Sequence, residues 1–274
     1  MVHREIDGVS FRLKEPFDFS FLKQYGKVFR VFDDQDSGNI CFGVASGEKR
    51  YFVKFAGAPT VRANVSQQKA IERMKSTVLV YSDLVHQVLL NPIKCEEIGG
   101  GFVMVFEWTD AECMGMQYPK SREKFKQMPL DMRLHLFDDI LSFHAHVIKQ
   151  NYVAIDFYDG CIMHEFNTGK NFICDVELYS KMPYTNNMGR MYGSSRFMSP
   201  EEFLLGANID ELTNVYTMGA TAWELFGDGS RKRCVEGWQL SNALFDVVKQ
   251  AVSDERSQRQ QSIEQFIVEW VQAK

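Results

Sequence analysis

The stretch 152–178, YVAIDFYDGCIMHEFNTGKNFICDVEL, constrains this chain more than any other. An apolar lead-in (Tyr152, Val153, Ile155) enters a polar loop that holds Asp156 and Asp159. The apolar pair Ile162-Met163 follows, then a turn through Asn167-Thr168-Gly169, then Asn171-Phe172-Ile173-Cys174, which ends on Asp175. Short apolar runs separated by Asn and Gly predict a β-hairpin. A hairpin brings its two ends together, and with them the Asp156 loop and Asp175. Two carboxylates delivered in this way suit a Mg²⁺–phosphate centre, where one orients a nucleophile and the other holds metal. The alternative is a pair of ordinary loop and strand-end aspartates.

On either side of this stretch the chain has a different character. Residues 25–32 alternate loosely, 33–39 form a polar turn containing Gly38, and 40–45 are apolar. A turn at 46–49 leads into the apolar run 50–55, which completes three strands. Lys54 stands in the third strand between Val53 and Phe55. It either points to solvent or serves as a phosphate-binding cation on a rigid element. After the breaker Gly57-Ala58-Pro59, residues 61–75 predict a helix whose one acidic residue is Glu72. Glu72 is either a solvated helix residue or the partner of Lys54. Two further strands are expected over 84–107, split by Gly99-Gly100-Gly101, and 107–111 is a polar connector.

From about residue 129 the periodicity becomes helical, with Leu134, Phe137, Ile140, Leu141, His144 and Ile148 at three- and four-residue spacings. His144 and His146 fall on different helix faces, so they are not expected to share a metal. Residues 180–198 show no period, and helical patterns return at 200–205, 213–226, 240–252 and 263–271. The expected architecture is α+β: a strand-rich part over about 1–107, a connector at about 107–111 and a helix-rich part over about 112–274, with a cleft between them.

Composition removes several function classes. The net charge of −5 gives no general attraction to nucleic acid or anionic membrane. No run approaches the roughly 20 apolar residues of a membrane span, and the charged start lacks a signal-peptide core. The six cysteines contain no CxxC pair, which argues against a zinc site or a disulfide framework and for a reducing, cytoplasmic setting.

Taken together, these landmarks resemble the protein-kinase-like fold over roughly residues 20–272, with a strand-rich N-lobe, a helical C-lobe and a shortened helix-G region. Lys54 falls where that family keeps its strand-three lysine, and Glu72, eighteen residues on, where it keeps the pairing glutamate. Phe106 looks like the gatekeeper, and Glu107 to Thr109 like the hinge whose backbone binds adenine. Asp156 matches the aspartate of HRD, and Asp175, nineteen residues later, the aspartate of DFG. Gly193-Ser194-Ser195-Arg196-Phe197-Met198-Ser199-Pro200-Glu201 is very like the GT-xx-YMAPE segment, and Asn214-Val215-Tyr216-Thr217-Met218-Gly219 resembles DVWSLG. Arg259 is similar in context to the late arginine that pairs with the APE glutamate, here Glu201.

The resemblance implies ATP and Mg²⁺ as cofactors and transfer of the γ-phosphate to a Ser/Thr hydroxyl of a protein substrate. Lys54, fixed by Glu72, would neutralise phosphates; Asp175 would hold the metal; Asp156 would orient the acceptor and take its proton. Phe52 and Met163 would sandwich adenine. The departures from the family pattern are specific. The phosphate turn keeps one glycine, Gly38, among several aspartates. Ala154 and Ile155 replace the HRD histidine and arginine. Cys161 stands where the family has a metal-binding asparagine, with Asp159 as a substitute ligand or a turn residue. Glu177 replaces the DFG glycine, and the basic stretch 229–237 (Arg231, Lys232, Arg233) occupies the place of helix G. A pseudokinase that binds nucleotide as a scaffold, or a small-molecule kinase, are the alternatives these departures favour. Oligomeric state is not indicated.

Overall fold

The computed structural model describes residues 1–230 and 233–274; Arg231 and Lys232 of the basic stretch lie outside the described residues. The chain is mixed α+β, with six α-helices and several antiparallel sheets among the described residues. It divides into two compact units. One comprises Met1–Ser82 and Leu90–Asp110, the other Asp83–Leu89 and Ala111–Lys274. The segment Asp83–Leu89 thus belongs with the helical unit, although the sequence places it inside the strand-rich part. No described helix is long and apolar enough to cross a membrane.

The first unit begins with a hairpin of β1 (Val2–Ile6) and β2 (Val9–Leu13). Asp7 and Gly8 both have positive φ (54° and 89°), the backbone a two-residue hairpin turn requires. A short 3-10 turn, Ser20–Gln24, leads to β3 (Lys27–Phe32), β4 (Asn39–Ser46) and β5 (Lys49–Ala56). Helix α1 (Gln67–Asp83) follows, then β6 (Pro92–Ile98) and β7 (Gly101–Glu107). The five strands form one sheet in the order β3-β4-β5-β7-β6.

Side chains alternate across this sheet and give its faces different roles. Phe42, Val44, Val53, Phe55, Val103 and Val105 point into a core closed by Phe11 and Leu13 of β2 and by Phe19 and Leu22. The opposite face carries Phe52 and Lys54. Phe52 pairs with Gly43 and Phe106, and Lys54 pairs with Cys41 and Met104. Helix α1 lies over this second face, with the Tyr81 ring 5.7 Å from that of Phe106. The helix expected over 61–75 starts late because Ser66 is its cap, with Oγ accepting from Lys69 N at 3.2 Å. Residues before it are tied to the β3–β4 turn, where Asn64 N donates to the Asp36 carbonyl at 3.2 Å.

The second unit contains β8 (Glu112–Cys113), α2 (Pro119–Gln127), α3 (Leu130–Lys149), β9 (Tyr152–Val153), β10 (Ile162–Glu165) and β11 (Lys170–Ile173). Next come β12 (Ser180–Lys181), β13 (Tyr184–Thr185), β14 (Asn208–Ile209), α4 (Glu211–Phe226), α5 (Asn242–Ala251) and α6 (Ile263–Ala273). Helix α4 is its axis, buried at nearly every position. The Trp270 ring of α6 lies 4.8 Å from Phe137 of α3 and 5.9 Å from Phe226 of α4. Side-chain caps start the last three helices: Asp210 on Leu212 N, Ser241 on Leu244 N and Ser262 on Gln265 N. Asp83–Leu89 joins this unit through real bonds. Asp83 accepts from the Tyr152 hydroxyl at 2.8 Å and pairs with Lys181 at 3.0 Å, and the Val88 carbonyl accepts from Ile173 N at 2.6 Å.

Candidate functional site

In the second unit the expected hairpin forms, and its register sets Ile162 opposite Ile173 and Met163 opposite Phe172. Its turn closes with Gly169 at φ 74° and its amide on the Glu165 carbonyl at 2.8 Å. One step beyond the ladder, Cys174 N donates to the Cys161 carbonyl at 3.0 Å. That bond sets Asp175 beside the loop that begins at Asp156. Both aspartates occupy the left-handed region, φ 64° and 63°, a conformation non-glycine residues adopt at a cost and that clusters at functional sites. Asp156 is half-buried and Asp175 exposed.

Two titratable groups beside these carboxylates, Cys161 and Tyr158, are held neutral. Burial pushes the Cys161 thiol well up, and the negative charges of Asp175 and Asp156 add to the effect. Burial raises the Tyr158 phenol too, and the same two aspartates reinforce the shift. Cys161 Sγ donates weakly to the Asp156 carbonyl at 3.5 Å. A neutral thiol in this position is a poor ligand for Mg²⁺, which takes oxygen.

The loop is anchored from below. Asn214, fully buried on α4, grips the Ala154 backbone at two points: its Oδ1 accepts from Ala154 N and its Nδ2 donates to Ala154 O, both at 3.0 Å. His144 supports the next turn, its ring 4.4 Å from that of Phe157. Its Nδ1 donates to the Ile140 carbonyl at 2.8 Å, so Nε2 accepts from the Tyr179 hydroxyl at 3.3 Å. Burial lowers this imidazole to about 4 and keeps it neutral.

Asp159 has a different role from the substitute metal ligand considered from sequence. It is fully buried, and its Oδ2 accepts from Arg122 Nη1 at 2.5 Å and Arg196 Nη2 at 2.7 Å. Glu224 binds the same two guanidiniums, Arg196 at 2.8 Å and Arg122 as well. Asp159 is therefore committed to an ion cluster. Among the described residues no group of three or more His, Cys, Asp or Glu is arranged to hold a metal ion.

The segment resembling GT-xx-YMAPE folds against Asp156. Gly193 has φ 133°, and a Cβ there would lie 3.3 Å from Met198 Cγ and 3.6 Å from Asp156 Oδ1. Ser199 begins the following turn with Glu202, whose Oε2 accepts from Ser199 N at 2.6 Å and Ser199 Oγ at 3.0 Å. Glu201 pairs with Arg259 at 2.7 Å, as the resemblance implies.

The remaining candidates lie in the first unit. Lys54 and Phe52 share the sheet face under α1 described above. Glu72 does not face that sheet. The inward stripe of α1 is Ala70, Met74, Thr77 and Tyr81, and a residue midway between 70 and 74 projects to the far side at 100° per residue. Glu72 is exposed and accepts from Gln68 Nε2 at 2.8 Å, which is its contact in place of Lys54. Gly38 (φ 87°) makes a close approach, since a Cβ there would meet Val65 Cγ2 at 3.0 Å and Ala70 Cβ at 3.1 Å. Two of the three aspartates around it, Asp33 and Asp34, have arginine partners. Asp33 accepts from Arg12 N at 2.8 Å and Arg12 Nε at 3.1 Å, and Asp34 pairs with Arg62 at 2.7 Å. Partial burial opposes ionisation of Asp33, but Arg12 holds its carboxyl below the usual range. Glu107 is exposed and Thr109 half-buried. Their connector is clamped by Trp108 N on the Arg50 carbonyl at 3.1 Å and by Arg50 on Asp110 at 2.9 and 2.6 Å.

Arg122, Glu224 and Arg12 are the residues that sequence reasoning does not single out, whereas Asn214 enters there only as the start of the segment resembling DVWSLG. Each acts on a partner distant in sequence, and none carries a local signal. No protein-family model and no curated protein matches this chain.

Proposed function

We propose that the chain is an ATP-dependent phosphotransferase of protein-kinase type acting on a Ser/Thr hydroxyl of a protein. The observation that carries the reading is the pair Asp156 and Asp175. One hairpin brings them beside Cys161 and Tyr158, two groups held neutral, and both have left-handed backbones. Asp156, held by the Asn214 grip on Ala154, orients the acceptor hydroxyl and takes its proton. Asp175 is the carboxylate whose exposure and oxygen chemistry fit Mg²⁺, an ion that uses one or two protein carboxylates and fills its remaining positions with phosphate and water. Bound with ATP, the metal supplies neutralisation of the phosphate charge. Lys54, on strand β5, would supply a phosphate-binding cation without Glu72 as its partner. Asp159 and Cys161 do not fit as ligands, so the residues present suit one protein-held metal position.

A second reading, a pseudokinase that binds nucleotide without turnover, is favoured by the β3–β4 turn. Where a flexible glycine loop would cover phosphates, Arg12 and Arg62 pin Asp33 and Asp34 in place.

The test is incubation with γ-labelled ATP and Mg²⁺ or Mn²⁺, comparing wild type with Asp156→Ala and Asp175→Ala. Label on protein that disappears in both variants supports the kinase. ATP binding without label in wild type selects the pseudokinase, and absence of binding rejects both.

A further inference from the structure

Arg122, Asp159, Arg196 and Glu224 take no part in the chemistry proposed above, yet each of them is ion-paired to two of the others. Arg122 contacts both carboxylates, and Arg196 contacts both carboxylates. The result is a closed ring of alternating charge with no net charge to offer a ligand. Asp159 and Glu224 are 1% and 9% exposed at their side chains, so the carboxylates are shielded from solvent, while the Arg122 and Arg196 side chains stay 18% and 27% exposed. Its four members come from α2, the 156–161 loop, the 193–198 segment and α4. Asp159 Oδ1 is buried and has no hydrogen-bond partner among the described residues, so this carboxylate depends on the two arginines at Oδ2.

Arg196 is the ring's only member from the segment that reaches Asp156. Three residues before it, the Gly193 Cβ position lies 3.6 Å from Asp156 Oδ1; three residues after Asp156 comes Asp159, the partner of Arg196. The two loops thus lie close together at the candidate site and are tied by an ion pair at the ring. We propose that Arg196 is a positioning residue that registers the 193–198 segment against Asp156. The proposal rests on the reading of Asp156 as the group that orients the acceptor. Its mechanical content does not depend on that reading: loosening Arg196 must loosen the 156–161 loop.

Arg196→Met removes both ion pairs while keeping a long apolar stem, and Arg196→Lys keeps the charge. Amide hydrogen exchange on the full chain reads the mechanical arm. In Arg196→Met, exchange rises together in 193–198 and 156–161 and stays at wild-type levels in α5 and α6; Arg196→Lys restores part of the protection in both loops. In the activity arm, kcat for transfer to a protein acceptor falls on the order of 10- to 100-fold in Arg196→Met, as for a misplaced acceptor. ATP affinity stays within about twofold, and Arg196→Lys recovers part of kcat. Unchanged exchange in 156–161, or ATP affinity lost in step with transfer, overturns the proposal. If wild type transfers no phosphate, the functional reading fails, and the exchange arm alone decides whether Arg196 registers the two loops.

Discussion

Arg259 closes a two-point ion pair on Glu201 from 58 residues downstream, Nη1 to Oε1 at 2.7 Å and Nη2 to Oε2 at 3.0 Å. The Arg259 side chain is fully buried, and Glu201 is 5% exposed. Arg256 adds a third contact to Oε1 at 2.6 Å, and Thr213 Oγ1 a fourth at 3.0 Å. The consequence is an asymmetry between the partners. Glu201→Gln leaves a fully buried guanidinium without a counter-charge, and breaking a buried pair in this way costs about 3–5 kcal/mol. Arg259→Met leaves Glu201 still paired with Arg256 and costs less. Urea unfolding of both variants at pH 7 measures this directly; an equal or reversed order would contradict the assignment of Arg256 as a reserve partner.

Two buried groups give this fold opposed pH dependences. Burial raises Glu202 from 4.5 to about 7, with the Ser199 hydrogen bonds acting against the shift. An acid whose folded pKa is raised contributes stability fully below its unfolded value, and that stability is lost as pH rises from about 4.5 through about 7. Burial lowers His144 from 6.5 to about 4. That contribution is present above 6.5 and lost as pH falls through about 4. Each is worth about 3 kcal/mol at 1.36 kcal/mol per unit, so the two largely offset between pH 4.5 and 6.5. Glu202→Gln therefore makes stability, relative to wild type, climb with pH over that window. His144→Gln, whose amide can still reach both Ile140 and Tyr179, makes it fall. Paired urea titrations at pH 4.5, 5.5 and 6.5 check the two slopes, and parallel curves for variants and wild type would remove both groups from the balance.

Much of this architecture is readable before any coordinates, and the exceptions have local causes. Strands β3 to β5 and the β10–β11 hairpin are legible because alternation and turn residues agree. In 170–173 the turn is legible in Asn-Thr-Gly, while the register is a finding of the structure. The start of α1 is not legible, since Val61 and Val65 have helical spacing while Pro59 and the bond from Asn64 to Asp36 hold them outside the helix. The first hairpin has its Asp7-Gly8 cue, but His3-Arg4-Glu5 is polar and exposed and hides the strand. Helix α2 buries little beyond Ser121 and Phe125, so it shows no stripe, and Pro119 at its first turn is the sole marker. At the candidate site, the spacing of Asp156 and Asp175 is readable because one hairpin connects them. The commitment of Asp159 is not, because Arg122, Arg196 and Glu224 come from three other segments. Glu72 illustrates the converse: its distance from Lys54 is suitable in sequence, but the apolar stripe of α1 turns it outward.

The Asn214 grip on Ala154 yields a sharper test than truncation alone. Asn214→Ala leaves a buried N–H and a buried carbonyl unsatisfied, at about 1–3 kcal/mol each. Asn214→Asp differs with pH. An ionised carboxylate accepts from Ala154 N but faces the Ala154 carbonyl without a proton to give; a protonated one reproduces both bonds of the amide. Its folded pKa is therefore raised, and its stability is greatest at low pH and lost as pH rises through that value. Measured against wild type, Asn214→Asp recovers stability on going from pH 7 to pH 5, whereas Asn214→Ala does not. A pH-independent deficit in Asn214→Asp would show that the two-point grip does not hold the loop.

Position 161 separates a working centre from one that has lost a metal position. The Cys161 thiol is buried and held neutral by burial and by the Asp175 and Asp156 charges, so it offers Mg²⁺ nothing. On the proposed reading, Cys161→Asn places a carboxamide oxygen in the loop five residues after Asp156. The variant then reaches half-maximal transfer at lower Mg²⁺, by roughly tenfold, the lower end of what changes around a metal do to its affinity. Cys161→Ala controls for loss of the thiol and leaves the Mg²⁺ dependence where wild type has it. The measurement is a Mg²⁺ titration of label transfer at fixed ATP, with Asp175→Ala as the inactive reference. Transfer appearing in Cys161→Asn from a wild type that binds ATP but transfers nothing would identify Cys161 as the residue that silences the centre. Coincident titrations for wild type and Cys161→Asn would mean that the single position at Asp175 suffices, and that position 161 contributes only to packing.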